Sequence, residues 1–231
     1  MIYITGDTHG NFEHIESFCK RMDTSTDDIL IILGDAGINF YGEEYDRRKK
    51  IYLNSLPITL FCIHGNHEQR PYTISSYKEK EWHEGIVYYE EEFSSILFAK
   101  DGEIFDLDGK KTIVLGGAYS IDKYFRLLRG YPWWSDEQPS MEIKQYAEQR
   151  LEEQNWKIDI VLSHTGPLKF EPREMFLEGI DQSRVDKSTE IWLDYIENKL
   201  SYKKWYFGHY QTEKKIDKVE IKFNDISLFE I

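Results

Sequence analysis

Five apolar runs in this chain each stop at a residue type able to hold a metal ion. Residues 2–5 run into Gly6-Asp7-Thr8-His9-Gly10, and residues 29–33 into Gly34-Asp35. Residues 58–63 lead to His64-Gly65-Asn66-His67-Glu68, residues 158–162 to Ser163-His164, and residues 205–207 to Gly208-His209-Tyr210-Gln211. A single Asp-x-His carries little weight. Five repetitions of the pattern constrain the fold, because ligands bind at strand ends in α/β sheets and these segments are too far apart to form one local binding loop. The second run, Ile29-Leu30-Ile31-Ile32-Leu33, does not alternate, as expected of a parallel strand covered on both faces.

Between the runs, Phe12, Ile15, Phe18, Cys19 and Met22 recur at helical spacing, with Asn11 as the expected cap. Residues 43–54 read as an exposed, charged helix. From Gly85 the pattern changes to short strands, at 85–89, 96–100, 103–106 and 112–115, with Asp101-Gly102 and Asp108-Gly109 as hairpin dipeptides. Residues 119–134 form an irregular aromatic and basic stretch, 139–156 a helix starting near Ser140, and 165–186 a loop long enough to act as a lid. A helix near 189–200 precedes the last motif strand, and antiparallel strands at 215–223 and 226–231 close the chain. No repeat, low-complexity tract or linker interrupts the pattern, so one domain over residues 1–231 is expected, built from two packed sheets flanked by helices.

Composition narrows the partners. No apolar run reaches the roughly 18 residues a membrane span needs, and the strand-like start lacks a signal pattern, so a cytoplasmic protein without a membrane partner is expected. Cys19 and Cys62 sit in apolar patterns without metal-type spacing, as buried free thiols do. Forty-two acidic against 29 basic residues give a net charge of −13. Such a surface repels long nucleic acids, whose generic binding relies on Lys and Arg. A small phosphorylated substrate remains compatible, because bound cations reverse the field locally. Oligomeric state is not encoded in any of these patterns.

The series Gly6-Asp7-Thr8-His9-Gly10, Gly34-Asp35, Gly65-Asn66-His67-Glu68, His164-Thr165-Gly166-Pro167 and Gly208-His209 resembles the calcineurin-like metallophosphoesterase superfamily, in the family's order and over residues 6–211. The resemblance implies a four-layer αββα sandwich of two mixed sheets flanked by helices, with a two-metal site. It implies that Asp7 and His9 hold the first metal, that Asp35 bridges both, and that Asn66, His164 and His209 hold the second. His67 matches the histidine beside the scissile phosphate, which protonates the leaving oxygen or stabilises the transition state. The chemistry has a direct reason: two cations about 3.5–4 Å apart activate a shared water, clamp phosphate oxygens and favour in-line displacement. Mixed Asp, His and Asn donors suit manganese or iron, with zinc also compatible.

Two departures from the family pattern stand out. Where the last motif usually reads Gly-His-x-His, this chain has Gly208-His209-Tyr210-Gln211; Gln211 coordinates through its amide oxygen, binds a ligand water, or leaves the position open. Where many members continue Gly-Asp-x-x-Asp, this chain has Ile38, so any acid partner of His67 must come from elsewhere, and Glu68 is only its sequence neighbour. Lys123, Tyr124, Arg126, Arg129, Trp133 and Trp134 suggest either a substrate pocket or an aromatic lid; Arg126 is the candidate phosphate-binding residue, beside Asn66. The resulting expectation is a hydrolase of phosphomonoesters or phosphodiesters acting on a nucleotide or other small phosphoester. Its alternatives are a protein phosphatase, against which Ile38 counts, and a scaffold that kept the fold and lost turnover, which the Gln211 substitution motivates.

Overall fold

A computed structural model describes residues 1–176, 178–179 and 181–231. Strand and helix alternate at first, as β1 (Ile2–Thr5), α1 (Glu13–Met22), β2 (Ile29–Ile32), α2 (Glu43–Asn54) and β3 (Thr59–Cys62). A run of strands follows: β4 (Lys78–Trp82), β5 (Gly85–Tyr89), β6 (Ile96–Ala99), β7 (Ile104–Leu107) and β8 (Lys110–Leu115). Then come α3 (Lys123–Arg129), α4 (Met141–Glu153), β9 (Ile160–Ser163), α5 (Ser188–Lys199) and β10 (Lys204–Phe207), and last β11 (Lys214–Ile216), β12 (Val219–Ile221) and β13 (Ser227–Leu228).

These strands build two mixed sheets. One runs β13-β1-β2-β3-β6-β5-β4 and the other β11-β12-β10-β9-β8-β7. In the first, β1, β2, β3 and β6 are parallel, with Ile4 opposite Ile31 and Ile31 opposite Phe61. In the second, β8, β9, β10 and β12 are parallel, with Val114 opposite Leu162 and Leu162 opposite Tyr206. Period-two alternation sends each strand's side chains to opposite faces, and both faces of the central parallel strands are covered. Ile4, Ile31, Phe61, Val114, Leu162 and Tyr206 meet between the sheets. Tyr3, Leu30, Leu60 and Cys62 pack outward with Ile15, Phe18 and Leu53 of the first two helices. Val161, Trp205 and Phe207 pack outward with Leu151, Leu193 and Ile196 of α4 and α5. The order of layers is therefore helix, sheet, sheet, helix.

Several local expectations are corrected. Asn11 does not cap α1: Phe12 takes that position without a side-chain cap bond, and Met22 is 45% exposed at the helix end. Asp101-Gly102 makes no hairpin, because β6 and β7 belong to different sheets and the chain crosses between them there. Asp108-Gly109 does turn β7 into β8, with φ of 58° and 74°, both positive as the tightest hairpin turns require. Residues 119–134, read as irregular, contain α3, which buries none of its residues and so shows no apolar period. The strand β4, alternating Lys and Glu on a sheet edge, was concealed by its charge. The closing strands pair antiparallel as expected, β11 with β12 and β13 with β1, but β12 also joins its sheet by running parallel to β10. The loop at 165–186 holds short 3-10 turns at Leu168–Phe170, Arg173–Met175 and Gln182–Arg184, while Leu177 and Ile180 lie outside the described residues.

Ser140 caps α4 as its sequence predicts, its hydroxyl accepting from the Ile143 amide. Ser140→Ala is expected to cost about 1 kcal/mol of folding stability, read from the midpoint of urea unfolding. No helix among the described residues is long and apolar enough to cross a membrane.

Candidate active site

The C-terminal ends of β1, β2, β3, β9 and β10 carry the five motif segments, and parallel pairing sets those ends on common edges of the two sheets. Backbone hydrogen bonds lace the loops together. The His9 amide donates to the Asp35 carbonyl at 2.8 Å, Gly10 to Ala36 at 3.3 Å, and Gly208 to His164 at 2.9 Å. The backbones of His9, Asp35, His209 and Gln211 are left-handed, with φ of 46°, 47°, 68° and 49°. Such conformations are costly for side-chain-bearing residues and collect where geometry serves a site.

Asp35 is the hub. Its Oδ1 accepts from the His67 amide at 2.7 Å. Its Oδ2 lies 3.6 Å from His67 Nδ1, 3.7 Å from His164 Nε2 and 3.9 Å from His9 Nε2. Burial alone would push this carboxyl up, but the His164, His67 and His9 imidazoles outweigh it and hold Asp35 below the usual carboxylate range. Asp7 is also buried; its Oδ1 accepts from the His209 amide at 2.8 Å and its Oδ2 lies 3.7 Å from His9 Nε2. Burial pulls His9 down, yet the carboxylates of Asp7 and Asp35 leave it raised overall.

Around Asn66 the donor chemistry tests whether a cation fits. His164 Nδ1 lies 2.7 Å from the Leu33 carbonyl, an oxygen that can only accept, so this nitrogen donates. In a neutral ring Nε2 is then a lone pair. It faces Asn66 Oδ1 at 2.8 Å and Asp35 Oδ2 at 3.7 Å, while Asn66 Nδ2 donates to Ser120 Oγ at 2.8 Å. With the ring neutral, three electron-pair donors converge here, an arrangement that fits a cation. Two groups of three side chains have ligand atoms mutually within 4.8 Å: His9, Asp35 and His67, and Asp7, Asp35 and His164. The residues fit a pair of N/O-ligated cations, and Asp35 is common to both groups. His9 Nε2 also lies 3.7 Å from Asp7 Oδ2, and Asn66 Oδ1 faces His164 Nε2 beside these groups. His209 joins through its amide on Asp7 and through ring packing on His164, centroids 5.0 Å apart. Gln211 lies two residues on, exposed.

Three residues outside the expected set belong to the site. Glu68 is wholly buried; its Oε1 accepts from the Gly65 amide at 2.7 Å and its Oε2 from the Ala36 amide at 3.2 Å, tying the second motif loop to the third. Burial, with Asp35 nearby, pushes its carboxyl well up. Ser120 and Asp122 arrive from a sixth strand end, that of β8. Asp122 Oδ1 lies 3.5 Å from His67 Nε2, and its Oδ2 accepts from Arg126 Nε at 2.7 Å. Burial pushes Asp122 up, but His67 and Arg126 outweigh it and hold the carboxyl well below the usual range. The signal available in sequence was Asp122 four residues before Arg126, legible only once that stretch is known to be helical.

Of the aromatic and basic stretch, Arg126 reaches the site, its Nη2 3.4 Å from His67 Nδ1. Trp133 is engaged elsewhere, donating to Glu137 at 2.7 Å beneath Lys123, whose Nζ sits 4.2 Å from the indole centroid. Tyr124 is 63% exposed. Beyond Arg126 opens a cleft of about 700 Å³ lined in part by Asn39, Phe40, Gln69, Pro132 and Trp134, with the guanidinium 5.5 Å from the Phe40 centroid.

One buried carboxyl near the site makes stability depend on pH. Glu190 accepts from Thr165 Oγ1 at 2.9 Å, its other oxygen has no partner among the described residues, and burial raises its pKa to about 6. A carboxyl raised in the folded state favours folding while protonated, so that contribution fades as pH rises from the unfolded value through about 6. Glu190→Gln is therefore expected to gain roughly 2 kcal/mol over the parent at pH 8 and little at pH 4, measured by denaturant unfolding at both pH values.

A family model described as calcineurin-like phosphoesterase matches residues 1–219. An uncharacterized protein of Haemophilus influenzae is 26% identical over 168 residues, which cover 71% of this chain. The matched region spans 59% of that relative's own length. Among solved structures, TT1561 of Thermus thermophilus aligns with a TM-score of 0.50 at 12% identity, covering 96% of this chain and 87% of that one.

Proposed function

The chain belongs to the calcineurin-like phosphoesterase family, and from that premise we propose that it hydrolyses a small phosphomonoester or phosphodiester at a centre of two divalent cations. The observation that carries this reading is the convergence on one buried carboxylate, Asp35, of imidazole nitrogens from His9, His67 and His164, all within 3.9 Å. Asp7, His9, Asp35, Asn66, His164 and His209 are the proposed cation-holding set, with Gln211 at its margin. When bound, the cations would lower the pKa of a water and neutralise charge on the phosphate. Manganese or iron is the proposed occupant and zinc a compatible one, since the donors are nitrogen and oxygen without thiolate.

The chain's own residues divide the remaining work. Asp35, common to both donor groups, would supply the negative charge that offsets repulsion in a cation pair. Asn66 adds an oxygen without adding charge and is held by Ser120. Arg126 lies beside His67 with nitrogens suited to a phosphate oxygen. His67, in contact with Arg126 and Asp122 on its other side, is placed to pass a proton to the leaving oxygen. The cleft past Phe40 and Trp134 has the size for a small leaving group or nucleoside. We read residues 1–231 as one cytoplasmic domain without a membrane partner, and the net charge of −13 supports the lack of a long nucleic-acid partner.

The test is a panel of phosphomonoesters and phosphodiesters on metal-analysed protein. Turnover that is lost on chelation and restored by manganese, iron or zinc is the expected outcome. Protein that holds its metals yet turns over nothing on the panel would instead establish a scaffold on this fold.

A further inference from the structure

We infer that Asp122 is the positioning residue for His67, supplying from the end of β8 the carboxylate that Ile38 cannot provide. The inference rests on the phosphoesterase reading above. Asp122 Oδ1 lies 3.5 Å from His67 Nε2, and this shielded oxygen has no hydrogen-bond partner among the described residues. An aspartate at the start of a helix normally accepts an amide of the first turn. Asp122 occupies that position on α3 and makes no such bond. Its carboxylate faces His67 and Arg126 instead of its own helix.

Arg126 completes the device. Its Nη2 is 3.4 Å from His67 Nδ1, and a guanidinium only donates. In the neutral ring the nitrogen it faces is therefore the lone pair, and the proton sits on Nε2, which faces Asp122 Oδ1 across 3.5 Å. The same arginine holds the other carboxylate oxygen through Nε at 2.7 Å. One ion pair across a single helical turn thus offers a donor to one ring nitrogen and an acceptor to the other. Asp35 Oδ2, 3.6 Å from Nδ1, is an acceptor facing a lone pair in this tautomer. It serves the cation cluster while Asp122 sets the ring. Separations of this length are common before substrate binds and shorten in the reacting complex.

The experiment combines kinetics with a reading of the ring itself, on wild type, Asp122→Asn and Asp122→Glu with zinc added and thermal melts as a folding check. Proton–nitrogen correlation spectra of the His67 ring, assigned with His67→Gln, are expected to show the Nε2–H tautomer in wild type and a changed ring signal in Asp122→Asn. To serve the leaving oxygen the ring must carry a second proton on Nδ1, give it up, and return to the Nε2–H form facing Asp122, so loss of that carboxylate falls on poor leaving groups. Asp122→Asn is expected to lower kcat for an alkyl phosphoester about 100-fold, for a p-nitrophenyl ester less than about tenfold, and to leave KM within about twofold. Asp122→Glu should recover part of the alkyl-ester activity. Equal losses on both esters, or His67 resonances unmoved in Asp122→Asn, would overturn the inference. Wild type inactive on every ester would remove the phosphoesterase reading alone, and the ring spectra would still decide what Asp122 does.

Discussion

Asp35→Asn is expected to lower kcat/KM by about three orders of magnitude while leaving the protein folded. The substitution is nearly isosteric, and its amide oxygen can still accept the His67 amide that Asp35 Oδ1 accepts at 2.7 Å. It removes the single negative charge shared by both three-residue donor groups. That charge faces His164, His67 and His9 in a buried setting, where these imidazoles hold the carboxyl ionised against the push of burial. Cations held there would stabilise charge on the phosphate in the transition state by several kcal/mol, and a weakened hold on them would forfeit much of that. About 4 kcal/mol, at roughly 1.4 per tenfold, corresponds to a thousandfold. The measurement is steady-state kinetics alongside metal content by mass spectrometry and a thermal melt. Wild-type turnover and metal content in the variant would remove Asp35 from the centre of the site.

Gly34→Ala is expected to destabilise the fold by about 2–5 kcal/mol and to lose most activity with it. Gly34 has φ of +99°, and a Cβ built there would stand 2.1 Å from His164 Nδ1. A side chain in left-handed backbone costs about 1–2 kcal/mol, and overpacking a dense interior costs about 1–3 more. The clash is functional too, because this nitrogen donates to the Leu33 carbonyl and thereby aims the ring's other nitrogen at Asn66 and Asp35. Displacing the ring disturbs one whole donor group. Chemical denaturation gives the stability change, and kinetics on the surviving folded fraction gives the activity. A variant with the parent's unfolding midpoint and rate would show that the ring does not need the space.

Much of this architecture was written in local pattern. The apolar runs before Asp7, Asp35, Asn66, His164 and His209 announced buried parallel strands, and the change of rhythm at Gly85 announced the strand-rich middle. Elements whose signal is not apolar were harder to read. The edge strand β4 alternates charges, and α3 lies on the surface with Tyr124, Phe125, Leu127 and Leu128 exposed. An edge strand or a surface helix buries no face, so its sequence carries no burial period. Asp101-Gly102 shows another limit: the dipeptide names a reversal, but which sheet the next strand joins depends on the partners available.

The candidate site divides the same way. Residue types and their order marked Asp7, His9, Asp35, Asn66, His67, His164 and His209, because donors that hold a cation must be particular side chains and parallel strands must end near one another. Glu68 looked like a neighbour of His67 and is instead a buried brace between two loops. Asp122 and Ser120 follow no metal motif, and only the placement of β8 beside β9 brings them to His67 and Asn66.

Taken by itself, the amino-acid order determined which side chains can serve as ligands and which segments must be strands, for those properties reside in single residues and their nearest neighbours. Tertiary structure alone decided which carboxylate faces His67, which imidazole nitrogen faces Asp35, and which donors share a group. Hydrogen bonds and ion pairs act over a few ångströms, and segments 30 to 200 residues apart come within that range only after the sheets have assembled.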